Sequence, residues 1–89
     1  MIVKIDKAFE KDTDKIGDKK ILNLIADCIE NIQKAIKIDE IKQLKKLQGY
    51  NSHYRIKIKD YRIGLIIENN IIELVRFLHR KDIYRYFPK

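Results

Sequence analysis

The stretch Tyr54–Tyr84, YRIKIKDYRIGLIIENNIIELVRFLHRKDIY, decides the fold, because the hydrophobic period there becomes two. Tyr54, Ile56 and Ile58 point one way and Arg55, Lys57 and Lys59 the other, as in a strand with one buried face. Asp60 falls in a tight turn, after which Tyr61, Ile63, Leu65 and Ile67 continue the alternation. Asn69 and Asn70 tolerate positive φ and suit a two-residue hairpin turn. The run from Ile71 to Leu78 is apolar on both faces except at Glu73 and Arg76, which predicts a strand covered on both sides. A three-stranded meander follows, with Arg55, Lys57, Arg62, Arg80 and Tyr84 available to one surface.

Upstream the pattern is helical. Ile2, Val3 and Ile5 begin a short strand, and Asp6 can cap a short first helix that ends near Gly17. Asp18 is a good N-cap for a second helix. Its apolar residues Ile21, Leu22, Ile25, Cys28, Ile29, Ile32 and Ile36 recur at spacings of three and four, an amphipathic face to pack on a sheet. Residues 38–48 read as a polar connector with Ile41, Leu44 and Leu47 dipping inward. After Arg80 a short helical turn or tail is halted by Pro88. The expected architecture is α+β, in the order β-α-α-β-β-β. A helical hairpin covers one face of a small antiparallel sheet, and the basic residues collect on the other, partly bare face.

Eighty-nine residues make one domain, 1–89. The net charge of +7 is unevenly placed. Residues 1–49 carry a balance of +2 and residues 50–89 a balance of +5, and all five arginines lie in the second part. Arginine grips phosphate bidentately, whereas lysine often only solvates a helix face, so the basic meander points to nucleic acid. A single cysteine, Cys28, excludes an internal disulfide and reads as a small core residue in a reducing compartment. There is no secretory signal pattern and no apolar run near the roughly 20 residues that span a bilayer, so a soluble cytoplasmic protein without membrane contact is expected.

Common catalytic machinery is missing from the sequence. His53, His79, Cys28 and scattered acids give no metal spacing, the three glycines form no phosphate loop, and no cofactor is implied. RNA, however, supplies its own nucleophile, because a ribose 2′-OH can attack the adjacent phosphate when the two are held in line. The protein must add a base, cations for the phosphorane and a donor for the leaving 5′-oxygen. Cations crowded around a lysine favour its neutral form, which suits a base, whereas arginine keeps its proton.

The segment GYNSHYRIKIKDYRIGLII (49–67) resembles the central signature of RelE/ParE toxins, in which a glycine is followed by Tyr-Arg-x-Lys/Arg, a turn and Tyr-Arg. FLHRKDIYRYF (77–87) resembles their closing segment, an arginine with a tyrosine a few residues downstream. With the leading strand, the helical hairpin and Leu47-Gln48-Gly49, the likeness spans nearly the whole chain. It implies a metal-independent endoribonuclease that cleaves mRNA in the ribosomal A site. By resemblance, Arg55 and Lys57 take the two basic positions of the first meander strand, with Lys57 as general base. Arg62 would hold the scissile phosphate, Arg80 would meet transition-state charge or the leaving group, and Tyr84 would stack on or orient the substrate. The implied partners are a cognate antitoxin, in a toxin–antitoxin hetero-oligomer, and the ribosome with its rRNA and A-site mRNA.

Two positions depart from the family pattern: Arg55 stands where some members have lysine, and the turn often written Gly-Asp is Lys59-Asp60. His79 and His53 read as structural and loop residues, Tyr86 as a weaker rival to Tyr84, and Arg76 and Arg85 as surface charge. Arg62 can alternatively pair with Glu68 or Glu73 across strands. A gyrase inhibitor of the ParE kind, or an inactive homologue that acts through antitoxin binding, are the other functions the resemblance implies.

Overall fold

The structure is a computed structural model that describes residues 1–88; Lys89, the last residue of the expected domain and tail, lies outside the described residues. Strand β1 (Ile2–Ile5) leads into α1 (Lys7–Asp14) and α2 (Lys19–Lys34), then a single 3₁₀ turn at Ile38–Glu40. The remaining strands are β2 (Leu44–Lys46), β3 (His53–Ile58), β4 (Tyr61–Glu68) and β5 (Ile71–His79), and α3 (Ile83–Tyr86) closes the fold. They form one sheet in the order β1-β5-β4-β3-β2.

Both predicted caps are present. Asp6 accepts from the Ala8 amide at 3.0 Å and Asp18 from the Lys20 amide at 2.8 Å, each satisfying a donor that the helix cannot bond internally. The first helix stops at Asp14, shorter than the approach to Gly17 that the sequence suggests. Asn69 and Asn70 both take positive φ, 51° and 66°, and turn β4 into β5. Lys59 sits at φ 54° in the two-residue turn between β3 and β4, where the resemblance places glycine in many members.

The expected meander forms as β3-β4-β5, and the structure adds two strands to it. β1 joins β5 in parallel, with Ile2 opposite Ile71 and Ile5 opposite Leu74. The polar connector contains β2, which pairs Leu44 with Ile56 and Lys46 with Tyr54. Three residues of mixed polarity carry too little periodicity to announce a strand, and β2 exists because β3 offers it an edge.

One face of the sheet holds the core. Ile56, Ile63, Leu65, Ile72, Leu74 and Phe77 pack beneath Phe9, Ile21, Ile25 and Ile32 of the two helices. Tyr54 and Tyr61 pack against this cluster as their phase predicts, and the Tyr61 ring stacks on Phe77 at 4.9 Å. Cys28 also lies against the core. Burial pushes its thiol up to about 11 from 9.0. At pH 8 this leaves on the order of a hundredfold less thiolate than in the unfolded chain. Alkylation by iodoacetamide is therefore expected to be tens of times slower in native than in denatured protein; equal rates would contradict this environment.

The register between β4 and β5 slips by one residue. Gly64 faces Arg76 but Leu65 faces Leu74, which leaves Val75 as a β-bulge. The core phase on β5 accordingly jumps from Ile72 and Leu74 to Phe77. β1 covers only the first half of β5, so the Phe77 amide would be exposed on an open edge. Asp12 of α1 caps it: its Oδ2 accepts from Phe77 N at 2.9 Å and from Arg76 Nε at 2.8 Å, while Oδ1 accepts from Arg76 Nη2 at 3.0 Å. Arg76 is thus one half of a shielded ion pair, with the Asp12 side chain only 5% exposed, and is not the surface charge expected from sequence. The partner lies 64 residues away, a pairing that no local pattern reveals.

The opposite face is barer than the core face but not empty. α3 packs on β4 and β5 there, burying Ile83 and Phe87. A Cβ at Gly64 would stand 2.5 Å from the Phe87 ring, so only glycine lets this ring close on the strand. Gly64→Ala is expected to cost about 1–3 kcal/mol by overpacking, to loosen the tail, and to lower activity with it. Thermal unfolding and cleavage assays check both, and a wild-type melting temperature would argue against the contact. Among the described residues, no helix is long and apolar enough to cross a membrane.

Candidate nucleic-acid interface

Alternation on paired strands does most of the assembly. Lys57 stands directly opposite Arg62, and Arg55 opposite Gly64, so Arg55, Lys57 and Arg62 share the face away from the core. On the outer side Lys45 of β2 pairs with Arg55 and extends the row of cations. Because α3 covers β4 and β5, the β3 side of this face stays accessible, and Lys57 is exposed.

Backbone carbonyls hold two of the guanidiniums. Arg62 Nη1 donates to Lys59 O at 3.0 Å and to Tyr61 O at 2.9 Å. These bonds replace the cross-strand ion pair with Glu68 or Glu73 that its position also allowed. Arg55 Nη1 donates to Gln43 O at 3.0 Å, a carbonyl presented by a residue at φ 62°. In each case the bonds run from Nη1, and among the described residues carbonyl acceptors leave the positive charge uncompensated by any carboxylate.

Arg80, the residue after β5, lies against the β3–β4 turn. Its amide donates to Asp60 O at 2.7 Å, which ties the end of the strand to the β3–β4 turn. The Arg80–Asp60 side-chain contact is long, 3.9 Å, and both groups are mostly exposed, so it adds little holding energy. His79, just before it, accepts from the Lys81 amide through Nδ1 at 3.2 Å and meets Tyr61 edge-on, the structural role expected of it.

Tyr84 lies on α3 and is 57% exposed, next to the buried Ile83. Among the described residues no hydrogen bond or ring contact joins it to the four cations. The structure therefore sets Arg55, Lys57 and Arg62 on one face of the β3–β4 hairpin and ties Arg80 to its turn, while Tyr84 lies on the helix that covers β4 and β5. Tyr86 is engaged differently, its ring lying 5.2 Å from the Arg76 guanidinium. That cation–π contact links the tail to the Asp12–Arg76 pair.

His53 is not the loop residue expected. It opens β3, on the same face as Arg55, and its ring lies 5.0 Å from Tyr50 and 5.6 Å from Phe87. Sequence reasoning passed over Tyr50 and His53 as a pair, although GYNSHYR places two rings three residues apart just ahead of the first basic strand. Among the described residues no group of three or more His, Cys, Asp or Glu is placed to hold a metal ion.

Comparison with known proteins places the chain in a family. Residues 3–84 match the model of the ParE toxin of the type II toxin–antitoxin system parDE. Toxin RelE3 of Methanocaldococcus jannaschii is 38% identical over 91 residues, covering 99% of this chain and 100% of the relative. A crystal structure of the RelB–RelE antitoxin–toxin complex from Methanococcus jannaschii superposes with a TM-score of 0.80 at 36% identity, over 96% of this chain and 99% of the other. The YoeB dimer from Staphylococcus aureus shares the fold at a TM-score of 0.71 and 16% identity, over 89% of this chain and 95% of its own. A basic meander face, a covering C-terminal helix and full-length similarity lead to one conclusion: the chain belongs to the RelE/ParE toxins of type II toxin–antitoxin systems.

Proposed function

We propose that this toxin is a metal-independent endoribonuclease that cleaves mRNA in the ribosomal A site. The observation that carries the reading is the β3–β4 register, which sets Lys57 opposite Arg62 with Arg55 one pleat away. Arg80 is bonded to the turn of that same hairpin.

In this reading Lys57, as the free amine, takes the proton of the 2′-OH. The 2′-oxygen bonds to phosphorus, the bond from phosphorus to the 5′-oxygen breaks, and a 2′,3′-cyclic phosphate and a 5′-hydroxyl result. Arg62 and Arg55 bind the non-bridging oxygens as negative charge accumulates on them. Arg80 donates a hydrogen bond to the departing 5′-oxygen, which takes its proton from water because arginine does not release its own. Tyr84 stacks on or orients the nucleotide at the cut. Lys19 and Lys20 at the start of α2 and the basic meander supply the sequence-independent attraction to rRNA phosphate that ribosome docking requires.

An antitoxin partner follows from the family and from the charge. The complex of the RelB–RelE relative supports it. An acidic segment that folds on this basic face, forming a hetero-oligomer, would neutralise it and block the site.

Translation of a defined message in a cell-free system, with 5′ ends mapped by primer extension, tests the reading. New ends within the A-site codon, lost on Tyr84→Ala, are the expected result. The match to a ParE model favours gyrase as the second target. An intact message together with inhibited DNA supercoiling would replace the nuclease reading with that one.

A further inference from the structure

The basic face carries an aromatic feature that the cleavage mechanism does not use. Tyr50, His53 and Phe87 form a ladder of rings, tilted by 52° and 42° between neighbours. Phe87 is its buried inner end, 2% exposed, seated over Gly64. Tyr50 is its outer end and is 44% exposed, so the ladder terminates in an accessible ring rather than in the core. Arg55 follows His53 by two residues on the same face, and Lys45 stands opposite Arg55. An open aromatic ring with cations beside it has the chemistry that holds single-stranded nucleic acid: the ring takes a base face and the cations take its phosphate.

We propose that Tyr50, backed by His53 and Phe87, is a stacking platform for the base of a nucleotide next to the pair joined by the scissile phosphate. This rests on the RNA-cleaving reading above and adds a second subsite to it. His53 is four residues along β3 from Lys57, about 13 Å at strand spacing. The base on the platform is therefore not part of the cleaved linkage but belongs to a neighbouring nucleotide of the same strand. Stacking tolerates any base, so the platform contributes affinity and register without fixing sequence. It also gives Phe87 a second task, since the ring that anchors α3 over Gly64 also backs His53.

The test is steady-state cleavage by the full chain on programmed ribosomes, using messages with an abasic nucleotide placed in turn at each position around the cut codon. Tyr50→Ala should raise KM about tenfold, the effect of losing one base–ring stack, with kcat within about twofold. Tyr50→Phe should restore it, because the ring face and not the hydroxyl acts. In the wild type one abasic position should give the same loss, and in Tyr50→Ala that position should bring no further loss. A merely structural Tyr50 would not produce this dependence on one nucleotide. An unchanged KM in Tyr50→Ala, or an abasic penalty undiminished in that variant, overturns the platform while leaving the nuclease intact. Absence of cleavage by the wild type at any position overturns both.

Discussion

Arg62→Ala is expected to lower message cleavage by at least about 10²–10³-fold, the loss seen when one preorganised donor to a developing anion is removed. The fold should survive. The Arg62 side chain bonds to the carbonyls of Lys59 and Tyr61, but the β3–β4 hairpin is held by its strand ladder from His53–Ile66 to Ile58–Tyr61. Circular dichroism and thermal unfolding should therefore remain close to wild type while primer extension shows few or no new ends. Arg62→Lys should recover only part of the rate. A lysine supplies charge but lacks the planar fork, and it cannot both bond the two turn carbonyls and grip a phosphate bidentately. Full activity in Arg62→Ala would remove the phosphate-binding role and with it the case for this face as the catalytic surface.

The largest loss of stability should come from a residue with no part in the chemistry. Asp12 is 6% exposed and receives three hydrogen bonds, two from Arg76 and one from the Phe77 amide. Asp12→Ala strips Arg76 of its counter-charge and leaves the Phe77 N–H without its acceptor. Breaking one side of a shielded pair typically costs about 3–5 kcal/mol, against a total of roughly 5–15 kcal/mol for a small domain. Chemical denaturation should show an unfolding free energy lowered by that amount. Asp12→Asn keeps an acceptor for the amide but removes the charge, so it should fall between the two. The hydrogen bonds to Asp12 raise the already high pKa of the Arg76 guanidinium, with desolvation opposing them, so Arg76 keeps its charge across the ordinary pH range. Near-wild-type stability in Asp12→Ala would mean that α1 closes the β5 edge by packing alone.

The two effects differ in how far sequence alone discloses them. Arg55, Lys57 and Arg62 fall on one face because strand side chains alternate strictly, and the turn at Lys59-Asp60 aligns the two strands. That geometry is local and can be read from YRIKIKDYR. The caps at Asp6 and Asp18, the amphipathic stripe of α2 and the Asn69-Asn70 turn are local in the same sense.

Other features had no local signal. The bulge at Val75 reverses the phase of β5 within an apolar run that looks uniform, and it brings Arg76 and Phe77 to α1. β2 is a strand only because of its neighbour. Gly64 reads as one more strand residue until Phe87, 23 positions later, is found against its α-carbon. What the sequence by itself determined is the set of elements, their order and which residues alternate onto the basic face, because dihedral preference and side-chain period act within a few residues. Only the tertiary structure decided that Arg76 is held by Asp12, that Arg80 meets the hairpin turn, and that Phe87 packs beside His53. Those contacts join segments far apart in the chain, and chain closure, edge protection and packing select them together.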